Sequence, residues 1–235
     1  HYRSVSIFVV LLCLLTTSPF ARAAAPTVDE LAAVLWRYNE QSENDLPIPS
    51  ADRFADILEG ETVSLRTRTP IEDWRGKPQD QIRVVGYQLV ERPRLLVWLA
   101  TLNATTRHSE RLIELRLEND TEGASTWYQH LNTPWPVRNR HWVIRNEKNL
   151  EIAQSTQGLI WEHRWELAED GRDVALNLML NETVEGLDET KIDSTIYLNV
   201  NRGAWTMFEV NENYTLVAVH TIADLGVLLL LFGVG

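Results

Sequence analysis

From Arg111 to Ala223 the chain counts in twos: apolar and polar residues alternate, and the alternation is broken only at turn-forming clusters. A period of two puts successive side chains on opposite faces of an extended chain, which is the signature of a strand with two different environments. The tract predicts strands near 111–118, 124–131, 141–147, 157–168, 173–182, 190–200, 204–210 and 214–223. Asn119-Asp120, Asp170-Gly171, Asn201-Arg202-Gly203 and Asn211-Glu212-Asn213 supply the turns between them. Links this short join antiparallel neighbours, so the expected sheet is a long antiparallel meander.

The first half reads differently. Thr27-Val28-Asp29-Glu30 is a capping box, with Leu31, Val34, Leu35 and Tyr38 following at helical spacing. That helix ends near Glu43-Asn44, and Pro47 and Pro49 break the chain. A short helix after Ser50 presents Phe54, Ile57 and Leu58 on one side. Val63, Leu65 and Thr67 then alternate with Ser64, Arg66 and Arg68 as a strand; Pro70 to Pro78 reads as a loop and Gln81 to Val90 as a second strand. Pro93 opens a helix carrying Leu95, Leu96, Trp98, Leu99 and Leu102. With no internal repeat and no second composition zone, the expectation is one α+β domain.

Residues 1–23 stand apart. Arg3 and Arg22 carry the only charges, Val5 to Leu15 is nearly all apolar, and Ala21-Arg22-Ala23 is a small-residue cleavage pattern. This order reads as a secretory signal peptide, too short in its apolar stretch to span a bilayer. The expected location is therefore secreted or periplasmic. Cys13, the only cysteine of 235 residues, lies inside that segment, so the mature chain is expected to use no disulfide, thiol nucleophile or cysteine-bound metal. A formal charge of -11 argues against nucleic acid as a partner.

The site candidates come from the strands. Trp161, His163 and Trp165 share one face of their strand, while Glu162, Arg164 and Glu166 make the other, polar face. Trp127 shares a face with Gln129 and Leu131, and Trp142 with Ile144 and Asn146. Aromatic walls with sparse polar groups suit an apolar pocket, in which burial supplies affinity and a few hydrogen bonds orient the ligand. The bland alternative is that these indoles only pack beneath helices. His163 with Tyr197 is the one pair that could serve acid–base chemistry. His108, His130, His141, His163 and His220 show no ligand spacing, so neither a metal nor another cofactor is expected. The G-x-S-x-G elbow of a serine hydrolase does not occur in the sequence.

The segment Asn132-Thr-Pro134-Trp135-Pro136-Val-Arg-Asn-Arg140-His-Trp142-Val143 resembles the Pro-Trp-Pro-like loop and following strand of START (steroidogenic-acute-regulatory-related lipid-transfer) domains. Leu58-Glu59-Gly60, Gly203-Ala-Trp205 before Thr215-Leu216-Val217, and Ala223-Asp224-Leu225-Gly226 are similar to that family more weakly. The resemblance implies a helix-grip fold: N-terminal helices and a curved antiparallel sheet enclosing a hydrophobic cavity. Together with the reading of the residues, it gives as the expected organisation a signal peptide at 1–23, an N-terminal helix at 24–44 and a START-like domain at 45–235, resembling a secreted, bacterial-type member of the family. It further implies non-catalytic binding, and by extension transfer, of a phospholipid, sterol or other apolar small molecule, with transient membrane contact. Pro134, Trp135, Pro136 and Arg140 would be structural residues of the motif; Trp127, Trp142, Asn146, Trp161, His163, Trp165 and Tyr197 would line the cavity. Two departures stand out. Only Val227 to Gly235 remain for the family's closing C-terminal helix, which is thus expected to be missing or stunted, and Trp127 and Asn146 take the places of the acid–arginine pair of sterol-transfer members. The rival readings are an enzyme of the wider helix-grip superfamily, a cyclase or hydrolase on a hydrophobic substrate, and an adaptor that has lost its ligand.

Overall fold

A computed structural model describes residues 24–72, 78–102, 112–119, 123–134, 136–185, 187 and 191–223. Helix α1 (Val28–Gln41) begins at the capping box: Thr27 accepts from the Glu30 amide and the Glu30 carboxylate accepts from the Thr27 amide. Helix α2 spans Ala51–Leu58 and α3 Arg94–Leu102. Strands β1 (Val63–Glu72), β2 (Pro78–Val90), β3 (Leu112–Asn119), β4 (Ser125–Leu131), β5 (Asn139–Lys148), β6 (Ile160–Leu167), β7 (Thr195–Tyr197), β8 (Asn201–Asn211) and β9 (Tyr214–Ala223) form one nine-stranded sheet. Helices α4 (Leu150–Ser155) and α5 (Gly171–Leu180) interrupt its second half. The α+β class and the helix-grip arrangement of N-terminal helices on a curved antiparallel sheet are as expected. The signal segment, Cys13, Trp135, and the tail from Asp224 through the residues expected to form a C-terminal helix lie outside the described residues.

The sheet is not a simple meander. Its order is β1-β2-β9-β8-β6-β5-β4-β3, so the last strand inserts beside β2, and β7 pairs with β5 in parallel. Of residues 173–182, expected as a strand, 173–180 are helical and 181–182 form a turn. The sequence of α5 satisfies both periods, but Ala, Leu and Met favour helix and only Val174 is β-branched. Its buried Gly171, Ala175 and Met179 recur every four residues. Strand β6 starts at Ile160 because Gln157 and Gly158 adopt positive φ in a turn after α4. The Asn201-Arg202-Gly203 cluster lies within β8, and among the described residues of the tract 190–200 only Thr195–Tyr197 is a strand. Between Pro70 and Pro78, β1 continues to Glu72 and β2 begins at Pro78.

Register divides the sheet into two faces. On the helix-packed face, Leu31, Leu35 and Tyr38 of α1 and Phe54 and Ile57 of α2 cover Val85, Tyr87, Ile160, Phe208, Leu216 and Ala218, with Ile152 of α4 beside them. Glu162, read from sequence as part of a polar face, is only 1% exposed there. It accepts from Tyr38 Oη (2.6 Å), Thr206 Oγ1 (2.8 Å), Asn149 Nδ2 (2.9 Å) and Arg164 Nε (2.5 Å). Burial alone would raise its pKa, but these donors and the Arg164 charge hold the carboxyl below its ordinary value. Farther along, α5 packs on β5, with Gly171 against Val143 and Tyr197.

Candidate functional site

The opposite face carries the tryptophans. Antiparallel partners share a face, so the register places Trp127 beside Ile144, Gln129 beside Trp142, Asn146 beside Trp165, and His163 beside Trp205. Trp161 opposes Met207, which opposes Val217 in turn. Strands β4, β5, β6 and β8 thus present Trp127, Trp142, Trp161, Trp165 and Trp205 on one side of the sheet, and α3 adds Trp98 from above. Trp98 and Trp142 are 8% and 3% exposed; the other four are half-buried.

The sparse polar groups on this face are tied to the indoles. Trp127 Nε1 donates to Ser125 Oγ (3.0 Å), Trp165 Nε1 to Asn201 Oδ1 (3.1 Å) and Trp142 Nε1 to Gln129 Oε1 (2.5 Å), while Gln129 donates onward to Glu114. Three ring N–H groups therefore find partners within the face, leaving the ring surfaces as the part open to contact. Beneath Trp165 lies Gly203. A methyl group there would come within 2.5 Å of the indole and overlap the His220 carbonyl, so glycine is what lets the ring lie across β8.

Helix α3 is fastened to this surface by aromatic contacts. Trp98 stacks on His163 with centroids 4.0 Å apart and meets Trp161 edge-on at 5.2 Å. Arg94 lies 4.1 Å over the Trp161 ring and pairs with Glu209 at 3.2 Å. Val97, Trp98, Met207, Val217 and Val219 form the apolar cluster beneath. Burial, reinforced by the charge of Lys148 across the strand pair, pulls the His163 pKa down to about 4, so the imidazole is neutral at pH 7.

Of the residues singled out from sequence, Trp127, Trp142, Asn146, Trp161, His163 and Trp165 share this face. Tyr197 does not. It stands on the helix-packed face in the row of His141, their rings 5.4 Å apart, beneath Arg172 of α5. The His163–Tyr197 pair is therefore split by the sheet. Pro134 and Pro136 are exposed, and Arg140 Nη1 donates to the carbonyls of Arg138 (2.5 Å) and Asn139 (3.3 Å). The loop itself is closed by Thr133 Oγ1 donating to the Val137 carbonyl (2.7 Å). Sequence reasoning missed Trp98 and Trp205. The strand phase of 204–210 was legible and would have found Trp205; α3 gave no sign of which face it would cover. Among the described residues no group of three His, Cys, Asp or Glu could hold a metal ion, and no helix is long and apolar enough to cross a membrane.

No protein-family model matches the chain, and no curated protein matches it in sequence. Among solved structures it is similar to the human StarD13 lipid transfer and protein localization domain, at 10% identity and TM-score 0.43, over 68% of this chain and 76% of that one. It is similar to a STAR-related lipid transfer protein from Xanthomonas axonopodis at 15% identity and TM-score 0.44, over 67% and 81% of the two chains. An aromatase/cyclase from Streptomyces aligns at 13% identity and TM-score 0.36, over 60% and 67%. Identities of this size leave the chemistry of this chain to its own residues.

Proposed function

We propose that the tryptophan face binds a lipid or another apolar small molecule without transforming it, in a protein that works outside the cytoplasm. The observation that supports the reading is the set of five strand-borne indoles on one side of the sheet, four of them only half-buried, with the N–H groups of Trp127, Trp142 and Trp165 already bonded within the face. Large rings whose polar edges are satisfied offer transfer free energy to an apolar guest and little else, and this is the chemistry of a lipid contact surface. The sequence resemblance to START domains points the same way, and the basic–apolar–small order of residues 1–23 supports export. An acid–base reading loses its nominated pair, since Tyr197 lies across the sheet from His163.

The test is native mass spectrometry of the purified chain, followed by titration with a short-chain phosphatidylcholine and with cholesterol while intrinsic fluorescence is followed. The expected result is a retained apolar ligand and a fluorescence shift on adding one of the two. Trp161→Ala should weaken the responding ligand by ~2–4 kcal/mol, the usual cost of truncating a central aromatic contact. If Trp161 is mere core, the same variant loses ~3–5 kcal/mol of stability while its folded fraction keeps full affinity. That result, or a chain that neither retains nor takes up either lipid, overturns the proposal.

A further inference from the structure

The helix-packed face holds a second, chemically opposite feature. Between the α1–α2 cluster and α5 the sheet is left open as a cleft of about 350 Å³, lined by Arg83, Arg145, Arg164, Arg202, His220 and Trp165 among others. The volume is at the low end of the range for small-molecule pockets. Four arginines from four strands converge here in a chain whose net charge is -11.

Register explains the convergence. Arg83 of β2 and Arg202 of β8 both oppose Ile222 of β9, one from each side, so the two lie in one row roughly 10 Å apart, two strand spacings. The neighbouring row carries His220 of β9, Ala204 of β8, Arg164 of β6 and Glu147 of β5. Arg145 lies opposite Glu166. The arginines are unequal. Arg145 pairs with Glu147 at 2.6 Å and Arg164 with the buried Glu162 at 2.5 Å. Arg83 gives Nη1 to the Asp45 carbonyl (2.6 Å), but its Nε and Nη2 are buried with no hydrogen-bond partner, as is Nδ1 of His220, itself 7% exposed. Arg202 makes no ion pair among the described residues. Burying unpartnered guanidinium donors is costly unless something with negative charge meets them.

We infer that this cleft binds the phosphate group of a small molecule, held between Arg83 and Arg202 with Arg164 beside it. Two guanidiniums without a carboxylate match the charge of a phosphate monoester near neutral pH, about -1.5 to -2. Donors arriving from several strands suit a tetrahedral oxyanion, whereas a planar carboxylate is satisfied by a single arginine fork. The arginines lie on the face opposite the tryptophans, although Trp165 and Gly203 also border the cleft, and the inference stands whether or not the tryptophan face binds lipid.

The full chain is titrated calorimetrically with inorganic phosphate and with glycerol 3-phosphate, and separately with vesicles containing phosphatidic acid. Arg202→Gln is the main variant: its side chain is exposed, so the fold should survive, as a thermal midpoint verifies. Arg83→Gln is the second, and Arg53→Gln, at an exposed α2 arginine paired with Asp56, is the control. Saturable binding of glycerol 3-phosphate, weakened tenfold or more by Arg202→Gln and untouched by Arg53→Gln, supports a soluble phosphate ester. Binding confined to the vesicles with the same variant pattern supports a lipid headgroup. Absence of saturable binding in all three titrations, or equal affinity in wild type and Arg202→Gln, overturns the inference.

Discussion

Glu162 is the residue at which a single heavy-atom exchange should matter most. Its four donors come from α1 (Tyr38), β8 (Thr206), the α4 cap (Asn149) and its own strand (Arg164), so it joins the helical layer to the sheet. Glu162→Gln keeps the size. Its amide NH₂ can turn toward the Tyr38 and Thr206 hydroxyls, which can accept, while its carbonyl still faces Asn149 and Arg164. What is lost is the charge assistance, ~1 kcal/mol for each bond. Arg164 is already 43% exposed, so its freed charge is met by water and adds little. The expected loss is about 3 kcal/mol. Glu162→Leu removes every acceptor and should cost ~3–5 kcal/mol or more, as when one partner of a buried pair is deleted. Urea denaturation at pH 7 measures both. The pH dependence adds an independent sign. The folded carboxyl lies below its ordinary value, so its contribution is complete above about pH 4.3 and is lost as pH falls through the folded pKa. The gap between wild type and Glu162→Gln should therefore close in acid. Equal stability of the two at pH 7, or a gap that widens below pH 4, would refute the reasoning.

Other expectations follow from the same contacts. His130, His141, His163 and His220 are all pulled to about pKa 4, chiefly by burial. The unfolded chain takes up these protons first, so stability should be full above pH 6.5 and decline as pH falls toward 4; urea midpoints at pH 7.5 and 5 that coincide would contradict this. Gly203→Ala forces a methyl into the Trp165 ring and the β9 backbone, so it should cost ~1–3 kcal/mol or more and move Trp165 fluorescence; a silent substitution would show that β8 has slack there. Thr27→Ala removes the α1 cap and should cost ~1 kcal/mol in thermal or urea unfolding, with no change in ligand titrations.

Most strands were legible because one side chain in two faces a different medium, and this survives in the sequence whatever the pairing. Pairing itself was not legible. The contact between β2 and β9 joins residues such as Arg83 and Ile222, and nothing local to either announces the other. Glu162 shows the same limit: in a strand of alternating character it reads as solvated, and its burial is tolerable through donors that include the hydroxyls of Tyr38, 124 residues away, and Thr206, 44 residues away. Tyr197 was misplaced because 190–200 was read as one unbroken strand. Among its described residues this tract pairs only at Thr195–Tyr197, in parallel with β5, so the phase that assigns faces does not carry across it. Helix α5 fell to a real ambiguity, since a row of alternating leucines serves either period. The arginine cleft was invisible for a simpler reason: its members are scattered from 83 to 202, and each alone is an ordinary strand cation.

Strand β9 has a consequence for how the molecule is made. Every one of its ten residues is buried, flanked by β2 on one side and β8 on the other. During synthesis β1 and β2 emerge early as a hairpin whose inner edge has no neighbour until more than a hundred further residues have been added. The sheet can close only when this late strand arrives to join its two halves. A topology of such long sequence separation folds slowly, and the waiting edge of β2 is meanwhile free to pair with another chain. A holdase bound to that edge, or passage across a membrane in the unfolded state, would protect it until β9 is in hand.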